Sequence, residues 1–363
     1  MGGDPGRLVA AVGSRILVVG VGGIGGTLAS RLVEHPSDGV AEVVALTRNA
    51  DVVQSINDRG FLVRGVDGER AVPGRARRTL DARTQPFDWI LLATQPPHVE
   101  AAAREALPWL AERGALVVLQ NGLCEDRVAA IAGPERVVGG VVAWGASMPE
   151  PGVFERTSRG GFALGRMDGV EDPRLHDLAA VLEALGPVTV SSNLAGARWS
   201  KLAINCAISS LGTLGGDRLG PLMRHRFVRR LALEIMTEVV AVAHAEGVRL
   251  EPVSGTLDLD WMALTSQERG GRARLSLSAK HGLLLVVGAK YRRLRSSMLS
   301  AIERGREPAV DFLNGEIVLR GARHGISTPV NAACQERVHA IARGELVSSV
   351  ALVRQLAADF DVL

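Results

Sequence analysis

The sequence is poor in cysteine and has no long apolar run. Its three cysteines, Cys124, Cys206 and Cys334, lie far apart and outside any CxxC or Cys/His ligand pattern. We therefore expect a reducing, cytoplasmic environment and no structural metal. No apolar run approaches the ~18 residues that a membrane helix needs, so we expect no membrane span.

Aromatic residues are also scarce, at 4% of the chain, although the net charge is +3 and the pI is about 9.0. Acidic residues are interspersed with the basic ones along most of the sequence. Nucleic-acid-binding domains instead cluster their basic residues and often interleave stacking aromatics. We therefore expect no nucleic-acid partner.

The length and the spacing of apolar residues predict two domains. A chain of 363 residues that is 47% hydrophobic exceeds what one core usually holds. Residues 1–13 contain glycine, proline and mixed charges without a secretion-signal pattern, and we predict a flexible tail there. Residues 14–192 alternate β-branched runs with helical patterns, which predicts an α/β domain with a Rossmann-type parallel sheet. Residues 193–363 are mostly helical in pattern and predict an all-helical domain.

Individual elements can be predicted from the same patterns. The β-branched runs of the first domain predict strands over Ile16–Val19, Glu42–Thr47, Trp89–Thr94, Ala115–Gln120, Val137–Trp144 and Val188–Ser191. Helical spacing favours Gly25–Glu34 and Pro97–Arg113, the second broken near Pro108. In the second domain, the polar interlude Glu251–Arg274 around Trp261 fits an ordered excursion or lid and a mobile surface loop equally well.

A glycine-rich turn follows the first predicted strand and opens a helix. Its sequence is Gly20-Val21-Gly22-Gly23-Ile24-Gly25. The first glycine of such a turn permits a tight bend, the second lets backbone approach a pyrophosphate, and the third allows close packing of helix on strand. The N–H groups at the start of the helix face the anion. We therefore predict dinucleotide binding, with Gly20, Gly22, Gly23, Ile24 and Gly25 as contact residues.

The residues after the second predicted strand indicate which dinucleotide is used. Enzymes specific for NAD place an acidic residue there to hold the ribose 2′-hydroxyl, whereas this chain has Thr47, Arg48 and Asn49. An arginine at that place pairs with a 2′-phosphate, which predicts NADP(H). The alternative is an ordinary surface arginine in an arginine-rich protein.

Only three of the 42 lysine and arginine residues are lysines: Lys201, Lys280 and Lys290. Lysine can release a proton when its surroundings lower its pKa, and arginine effectively cannot. A lysine retained in such a chain is therefore a candidate for proton chemistry. For Lys280, beside His281, and Lys290, in a basic cluster, we predict a solvated helix face.

Lys201 has different neighbours. Lys201, Asn205 and Ser209 recur every four residues and so stack on one face of a predicted helix. The positions between them are mainly apolar or small, which predicts a buried helix with a single polar stripe. The stripe is a candidate site. The alternative is a lysine that reaches solvent from a helix end while the other two residues bond to backbone.

Together these segments resemble the ketopantoate reductase family, in the family's order and over about residues 15–345. The matching segments are the glycine turn at 20–25, Gln120-Asn121-Gly122-Leu123, Trp199-Ser200-Lys201-Leu202 with Asn205, Ser296-Ser297-Met298-Leu299, Asp311-Phe312-Leu313-Asn314-Gly315, and Gly325-Ile326-Ser327-Thr328-Pro329-Val330-Asn331. The resemblance implies a Rossmann-type domain followed by a helical one. It also implies a reductase of 2-keto acids.

The resemblance implies a role for several residues. Lys201 matches the lysine that gives a proton to the carbonyl oxygen as hydride arrives from the nicotinamide. Asn121 matches the asparagine beside cofactor and substrate. Asn205 matches a substrate-binding asparagine, and Ser297 matches a serine that holds the substrate carboxylate.

One departure from the family affects the cofactor. A family lysine near the adenosine end is replaced by Gln95 in Ala93-Thr94-Gln95-Pro96. Arg48 would then supply most of the selectivity for the phosphate. We keep Thr94 and Gln95 as predicted cofactor contacts.

Two departures affect the substrate. The family's second substrate asparagine is Ser209, a shorter group with one hydroxyl. The family's glutamate that contacts the ketopantoate hydroxyl is Ala309, which leaves Glu307 or Asp311 as the nearby carboxylates. Asp311 is our predicted substrate contact. A site that lacks the hydroxyl's partner predicts a bulkier or less polar keto compound than ketopantoate.

The leading prediction is thus an NADPH-dependent reductase of a 2-keto acid or related small carbonyl compound. An imine or opine-type reductase on the same fold is one alternative, and a non-catalytic NADPH-binding sensor is another. His98, His281 and His324 are predicted to be structural or at the surface. Helical domains of this kind can pair, so a homodimer through residues 193–363 stays open.

Overall fold

The computed structural model describes residues 13–35, 39–252 and 257–363, so the predicted tail lies outside the described residues apart from Gly13. The described chain forms two compact units. The first contains the residues up to Gln120 together with Cys124–Leu194. The second contains Asn121–Leu123 and Ala195–Leu363.

The first unit contains twelve strands within the described ranges. They are β1 (Ser14–Val19), β2 (Val40–Leu46), β3 (Phe61–Gly65), β4 (Arg70–Val72), β5 (Ala76–Arg77), β6 (Phe87–Leu92), β7 (Leu110–Val118), β8 (Val137–Val142), β9 (Ala146–Glu150), β10 (Val153–Arg156), β11 (Phe162–Gly165) and β12 (Val188–Val190). Eight of them form one sheet in the order β12-β11-β8-β7-β6-β1-β2-β5, parallel except where β11 runs against β8. Ile16, Leu17 and Val18 at its centre are fully buried, as expected of a parallel strand covered on both faces.

Five helices accompany these strands: α1 (Gly23–Glu34), α2 (Ala50–Arg59), α3 (Val99–Ala106), α4 (Glu125–Ala132) and α5 (Arg174–Leu182). The predicted helix Pro97–Arg113 is too long. The observed helix α3 ends at Ala106, a tight turn follows at Leu107–Trp109, and β7 begins at Leu110. The proline at 108 breaks the helix, as predicted, and the residues after it join the sheet.

A second sheet of four strands was not predicted. Its order is β4-β3-β10-β9, with β3 and β10 parallel and the outer pairs antiparallel. Its strands are three to five residues long, so their alternation is too brief to stand out in the sequence. Phe61 and Phe154 from this sheet meet with their ring centroids 5.9 Å apart and join the core of the first unit.

The second unit is helical, which confirms the predicted fold class of an α/β domain followed by a helical domain. Its helices are α6 (Leu194–Gly215), α7 (Leu219–Arg224), α8 (Arg226–Ala245), α9 (Leu259–Met262), α10 (Ser266–Arg269), α11 (Arg274–Lys290), α12 (Ser297–Glu303), α13 (Asn314–Arg323), α14 (Pro329–Ala342) and α15 (Val350–Asp359). Among the described residues, no helix combines the length and apolar character that crossing a membrane requires.

Candidate active site

The glycine turn lies between β1 and α1. Gly20 has a φ of +93°, and a Cβ there would lie 2.7 Å from the backbone nitrogen of Thr94, so a side chain is excluded both by conformation and by space. A Cβ on Gly23 would lie 2.7 Å from the carbonyl oxygen of Ala146, and one on Gly25 would collide with the carbonyl oxygen of Gly20. These three glycines are therefore required by packing.

Gly22 differs from its neighbours, because a Cβ there would meet no atom within 4 Å. Gly22 is the N-cap of α1, no side chain caps the helix, and its first turn has no acidic residue. The open space thus lies at the positive end of a helix whose first N–H groups have no side-chain acceptor. Backbone exposed in this way fits a pyrophosphate, so the turn fits the predicted dinucleotide.

Three other predicted cofactor contacts, Thr94, Gln95 and Arg48, lie on the same unit, whereas Asn121 belongs to the second unit. Thr94 accepts two hydrogen bonds from Gln120 Nε2, at its carbonyl oxygen and its hydroxyl, both 3.2 Å long. Gln95 is exposed and precedes a short 3-10 turn. Arg48 is 74% exposed and forms an ion pair with the exposed Glu105. Ile24 packs against the core of the first unit from a partly buried position.

In the second unit, the polar stripe lies on α6 as its spacing predicts. Lys201, Asn205 and Ser209 are half-buried, while the residues between them include the fully packed Leu202 and Cys206. The amide nitrogen Nδ2 of Asn205 is buried and has no hydrogen-bond partner among the described residues. A buried donor without a partner is costly, so this nitrogen is a candidate to bind a ligand.

The two side chains that precede Lys201 fix the first turns of α6. Trp199 is 2% exposed, and the guanidinium of Arg320 lies 5.7 Å from its ring. The buried hydroxyl of Ser200 accepts a hydrogen bond of 3.2 Å from the backbone N–H of Glu251. These contacts hold the backbone that carries Lys201.

A buried polar network holds the middle of α6. Ser210 donates to Oδ1 of Asn314 at 2.5 Å, and Asn314 Nδ2 donates to the carbonyl oxygen of Cys206 at 3.3 Å and to Asn331 at 2.9 Å. Asn331 Nδ2 in turn donates to Glu238 at 2.7 Å. Since Asn314 and Asn331 fall in the motifs quoted above, this network gives those motifs a structural role: they fix α6 beneath the polar stripe.

The two serines at the start of α12 have different roles. Ser296 is buried, caps α12 by accepting from the N–H of Leu299, and donates to the carbonyl oxygen of Ser209 at 2.9 Å. Ser297 is exposed at the first position of the helix. Through Ser296, the start of α12 is therefore bonded to Ser209 at the end of the stripe, and Ser297, the predicted carboxylate contact, is the first residue of that helix.

Asn121 precedes Gly122, a position where the backbone does not accommodate any other residue. Gly122 has a φ of +94°, and a Cβ there would collide with the carbonyl oxygen of Phe312. This close approach fixes the backbone beside Asn121 and explains the asparagine-glycine pair physically.

Lys280 contradicts its prediction of a solvated helix face. It is 2% exposed, and Nζ donates to Glu268 at 2.6 Å and to the carbonyl oxygen of Ala263 at 2.8 Å. The prediction was wrong because Glu268 lies twelve residues away, beyond the reach of helical spacing. Lys290 is exposed, as predicted.

The Lys280–Glu268 pair also orders the described part of the polar interlude. Glu268 accepts from the N–H of Thr265 at 2.8 Å and from the hydroxyl of Ser276 at 2.6 Å, so one carboxylate joins α10 to α11. The interlude is therefore an ordered excursion from residue 257 onward, while residues 253–256 lie outside the described part.

Comparison with protein families decides where the chain belongs. The family model described as ketopantoate reductase PanE/ApbA matches residues 16–169, and the model of its C-terminal part matches residues 193–342. The chain belongs to the ketopantoate reductase family. It is therefore a member of a family of oxidoreductases that use a nicotinamide dinucleotide.

Individual relatives are distant. The 2-dehydropantoate 2-reductase of Pyrococcus horikoshii is 24% identical over 319 residues, covering 87% of this chain and 94% of the relative. A ketopantoate reductase from Ralstonia eutropha JMP134 superposes with a TM-score of 0.75 at 26% identity, over 91% of this chain and 99% of that chain. A D-mandelate dehydrogenase, solved with NADH and anilino(oxo)acetate, superposes with a TM-score of 0.75 at 20% identity, over 92% and 100%.

In this chain, the segment that contains Ala309 is a 3-10 turn over Ala309–Phe312. Ala309 is half-buried. Asp311 accepts at Oδ1 from Gln335 Nε2 at 2.6 Å and bonds to His339 Nε2 at 2.8 Å, both on α14. The prediction that Asp311 contacts substrate therefore depends on its second oxygen, Oδ2.

Within the described ranges, no group of three or more His, Cys, Asp or Glu side chains is placed to hold a metal ion.

Proposed function

We propose that the protein is an NADPH-dependent reductase of a 2-keto acid whose substituent is apolar. The observation that carries the proposal is the buried, unpartnered Nδ2 of Asn205, one helical turn from Lys201 on α6. A donor held in this way suits the oxygen atoms of a keto acid. When NADPH is bound, it would supply the hydride for the carbonyl carbon.

The chain's own residues then bind, orient and protonate the substrate. Lys201 gives a proton to the carbonyl oxygen, which becomes the hydroxyl of the product. Asn121 and Asn205 orient the substrate by hydrogen bonds, and Ser297 holds its carboxylate at the start of α12. Ser209 offers one hydroxyl at the far end of the stripe.

Ala309 is the residue that we expect to contact the substituent of the 2-keto acid. A methyl group offers no acceptor for a substrate hydroxyl, and a polar substituent buried without a partner would lose binding energy. The D-mandelate dehydrogenase neighbour supports this choice, since its ligand anilino(oxo)acetate is an oxo acid that carries an aromatic ring. We therefore place branched and aromatic 2-keto acids ahead of ketopantoate.

A panel assay tests the proposal. Oxidation of NADPH and of NADH is followed with ketopantoate, with branched and aromatic 2-keto acids, and with the same acids plus amines. We expect kcat/KM to be at least about fivefold higher for an apolar acid than for ketopantoate, since a buried polar group without a partner costs ~1–3 kcal/mol. Higher turnover with ketopantoate contradicts the role of Ala309. Turnover only with added amine favours the imine-reducing alternative, and NADPH binding without any turnover favours the sensor.

Arg48→Ala tests the choice of cofactor. Because a charge-assisted hydrogen bond to a phosphate contributes ~1.5–3 kcal/mol, we expect kcat/KM for NADPH to fall by about 10- to 100-fold, with little change for NADH. Glu105→Gln is the matched variant. This variant frees Arg48 from an exposed ion pair that contributes little to stability. The kcat/KM for NADPH should therefore stay the same or rise slightly. Equal losses with both cofactors would overturn the assignment.

We also propose a homodimer through the helical domain. On α11, Leu275 is 90% and Val286 is 64% exposed, with Ala279, Gly282 and Ala289 exposed on the same stripe. In an antiparallel pairing centred on Gly282, large residues of one copy would face small residues of the other. Sedimentation of the full chain measures this state directly, and a monomer at all concentrations would exclude it.

A further inference from the structure

The first turn of α8 concentrates positive charge where a helix favours negative charge. The helix is 20 residues long, begins at Arg226, and has neither a side-chain cap nor an acidic residue in its first turn. Arg226, Arg229 and Arg230 stand at positions i, i+3 and i+4 and so share one face. The N-terminus of a helix carries a partial positive charge of its own. Three guanidinium groups and the positive end of the helix dipole thus lie together at the start of α8.

A buried histidine from a neighbouring helix faces the same place. His281 lies on α11, which packs against α7 and α8, and it is 7% exposed. Its Nδ1 is buried and has no hydrogen-bond partner among the described residues. Burial and the charges of Arg229, Arg226 and Arg230 lower the pKa of His281 to about 4, so near neutral pH it is an uncharged ring that can donate one N–H.

The chain itself compensates little of this charge. In the described part of the molecule, the ion pairs of the cluster go to one carboxylate, Glu234, which Arg230 shares with Arg269 at 2.9 and 2.7 Å. Arg226 is exposed and forms no ion pair in the same part of the chain. The cluster therefore keeps a clear excess of positive charge.

Arg229 has a structural role that accounts for only part of its side chain. Its Nη1 donates to the carbonyl oxygens of Met223 and Arg224, which end α7. Its Nε is buried and has no partner within the described residues. Capping α7 explains the terminal nitrogen, but it leaves two buried nitrogens without partners among the described residues: the donor Arg229 Nε, and His281 Nδ1, which is a donor in one of the two neutral tautomers. Buried donors of this kind are rare in folded proteins, and an unseen ligand is one recognised explanation.

We propose that the start of α8 is a binding site for a phosphoryl group, with Arg226, Arg229 and His281 as donors. A phosphoryl group has two negative charges and three free oxygens, which suit guanidinium groups, a neutral imidazole N–H and the helix N–H groups together. A carboxylate, with one charge and two oxygens, satisfies fewer of these donors. The site goes beyond the proposed reductase activity, because it includes none of the residues assigned to catalysis, substrate or cofactor.

Calorimetric titration of the full chain with inorganic phosphate, at constant ionic strength against sodium chloride, tests the site. The variant is Arg226→Glu, which changes an exposed side chain. We expect phosphate affinity to fall at least about tenfold, as expected when a charge-assisted contact is reversed. The glycine turn at residues 20–25 stays intact in wild type and variant, so phosphate held there is common to both.

The same variant should make the protein more stable in phosphate-free buffer. Glutamate at the first turn complements the helix dipole and reduces repulsion within the cluster, which should raise the unfolding midpoint by about 1–4 °C. Loss of binding with a gain of stability separates a lost site from a damaged fold. Arg323→Glu is the control, because it makes the same charge change at an exposed arginine on α13, and it should leave affinity unchanged.

Two results would overturn the proposal. One is wild-type protein that binds phosphate no better than chloride, and the other is equal weakening by Arg226→Glu and Arg323→Glu. Pyrophosphate, as a third titrant, separates two sources of the same chemistry. Only the part of the binding that Arg226→Glu removes is compared, because the glycine turn at residues 20–25 also fits pyrophosphate. Tighter binding of inorganic phosphate supports a site for the free ion, and tighter binding of pyrophosphate supports a site for the phosphoryl end of a larger ligand.

Discussion

Replacing Lys201 by alanine should lower kcat for the preferred keto acid by about 10²- to 10⁴-fold, the usual contribution of a positioned general acid. The lysine lies on α6, whose neighbouring turns are fixed by Trp199, Ser200 and the network through Asn314. The helix should therefore survive the loss of one half-buried side chain. NADPH affinity, measured by fluorescence titration, should stay within about twofold of wild type, since the loss lies in the transition state.

Two further variants separate proton donation from other effects of Lys201. Lys201→Arg keeps the positive charge but not an acid that can release its proton, so it should recover little activity. Lys290→Ala removes the exposed lysine of α11 and should leave kcat unchanged. Full activity in Lys201→Arg would show that charge alone suffices, and turnover within about twofold of wild type in Lys201→Ala would remove Lys201 from the mechanism.

Removing the charge of Glu268 should destabilise the protein by ~3–5 kcal/mol, because Lys280 would remain buried without a counter-charge. Glu268→Gln is the informative variant, since glutamine can still complete the capping box at Thr265. For a domain of this size the loss corresponds to a midpoint lower by roughly 6–20 °C, followed by circular dichroism. Adding Lys280→Met to Glu268→Gln should restore most of the stability, because no buried charge is then left alone.

The matched control for Glu268→Gln is Glu345→Gln, which breaks the exposed pair with Arg343 and should not move the unfolding midpoint measurably.

Lowering the pH should destabilise the protein in the same way as Glu268→Gln. Burial alone would raise the pKa of Glu268, but hydrogen bonds from Lys280, Ser276 and Thr265 prevail and hold it at about 2, below the ordinary 4.5. The stabilisation is thus present above the unfolded-state pKa and is lost as pH falls from about 4.5 toward 2. An unfolding midpoint of Glu268→Gln equal to that of wild type would contradict the claim that the buried Lys280–Glu268 pair stabilises the protein.

The sequence predicted the features that depend on neighbours along the chain. Local spacing is enough to predict the buried residues 16–19 of β1, the start of α1 at the glycine turn, and the stripe of Lys201, Asn205 and Ser209. Interactions between distant segments could not be predicted in this way. Lys280 meets Glu268 across a turn between two helices, and nothing at either position signals the other.

The same limit applies to parts of the candidate site. The network from Ser210 through Asn314 and Asn331 to Glu238 joins four helices, and a single bond in it, from Asn314 to Cys206, spans 108 residues of sequence. Asp311 could be picked out only by resemblance, which gave no hint of its bonds to Gln335 and His339. The short strands of the second sheet pair across distances that periodicity does not report.

Phe154 of that second sheet has a consequence for Gly26, the residue after the dinucleotide motif. A Cβ at position 26 would enter the ring of Phe154, which is fully buried. Gly26 is therefore required by packing against the neighbouring sheet, although it directly follows the glycine-rich turn at residues 20–25. We therefore expect a larger residue at position 26 to be tolerated only together with a smaller one at position 154.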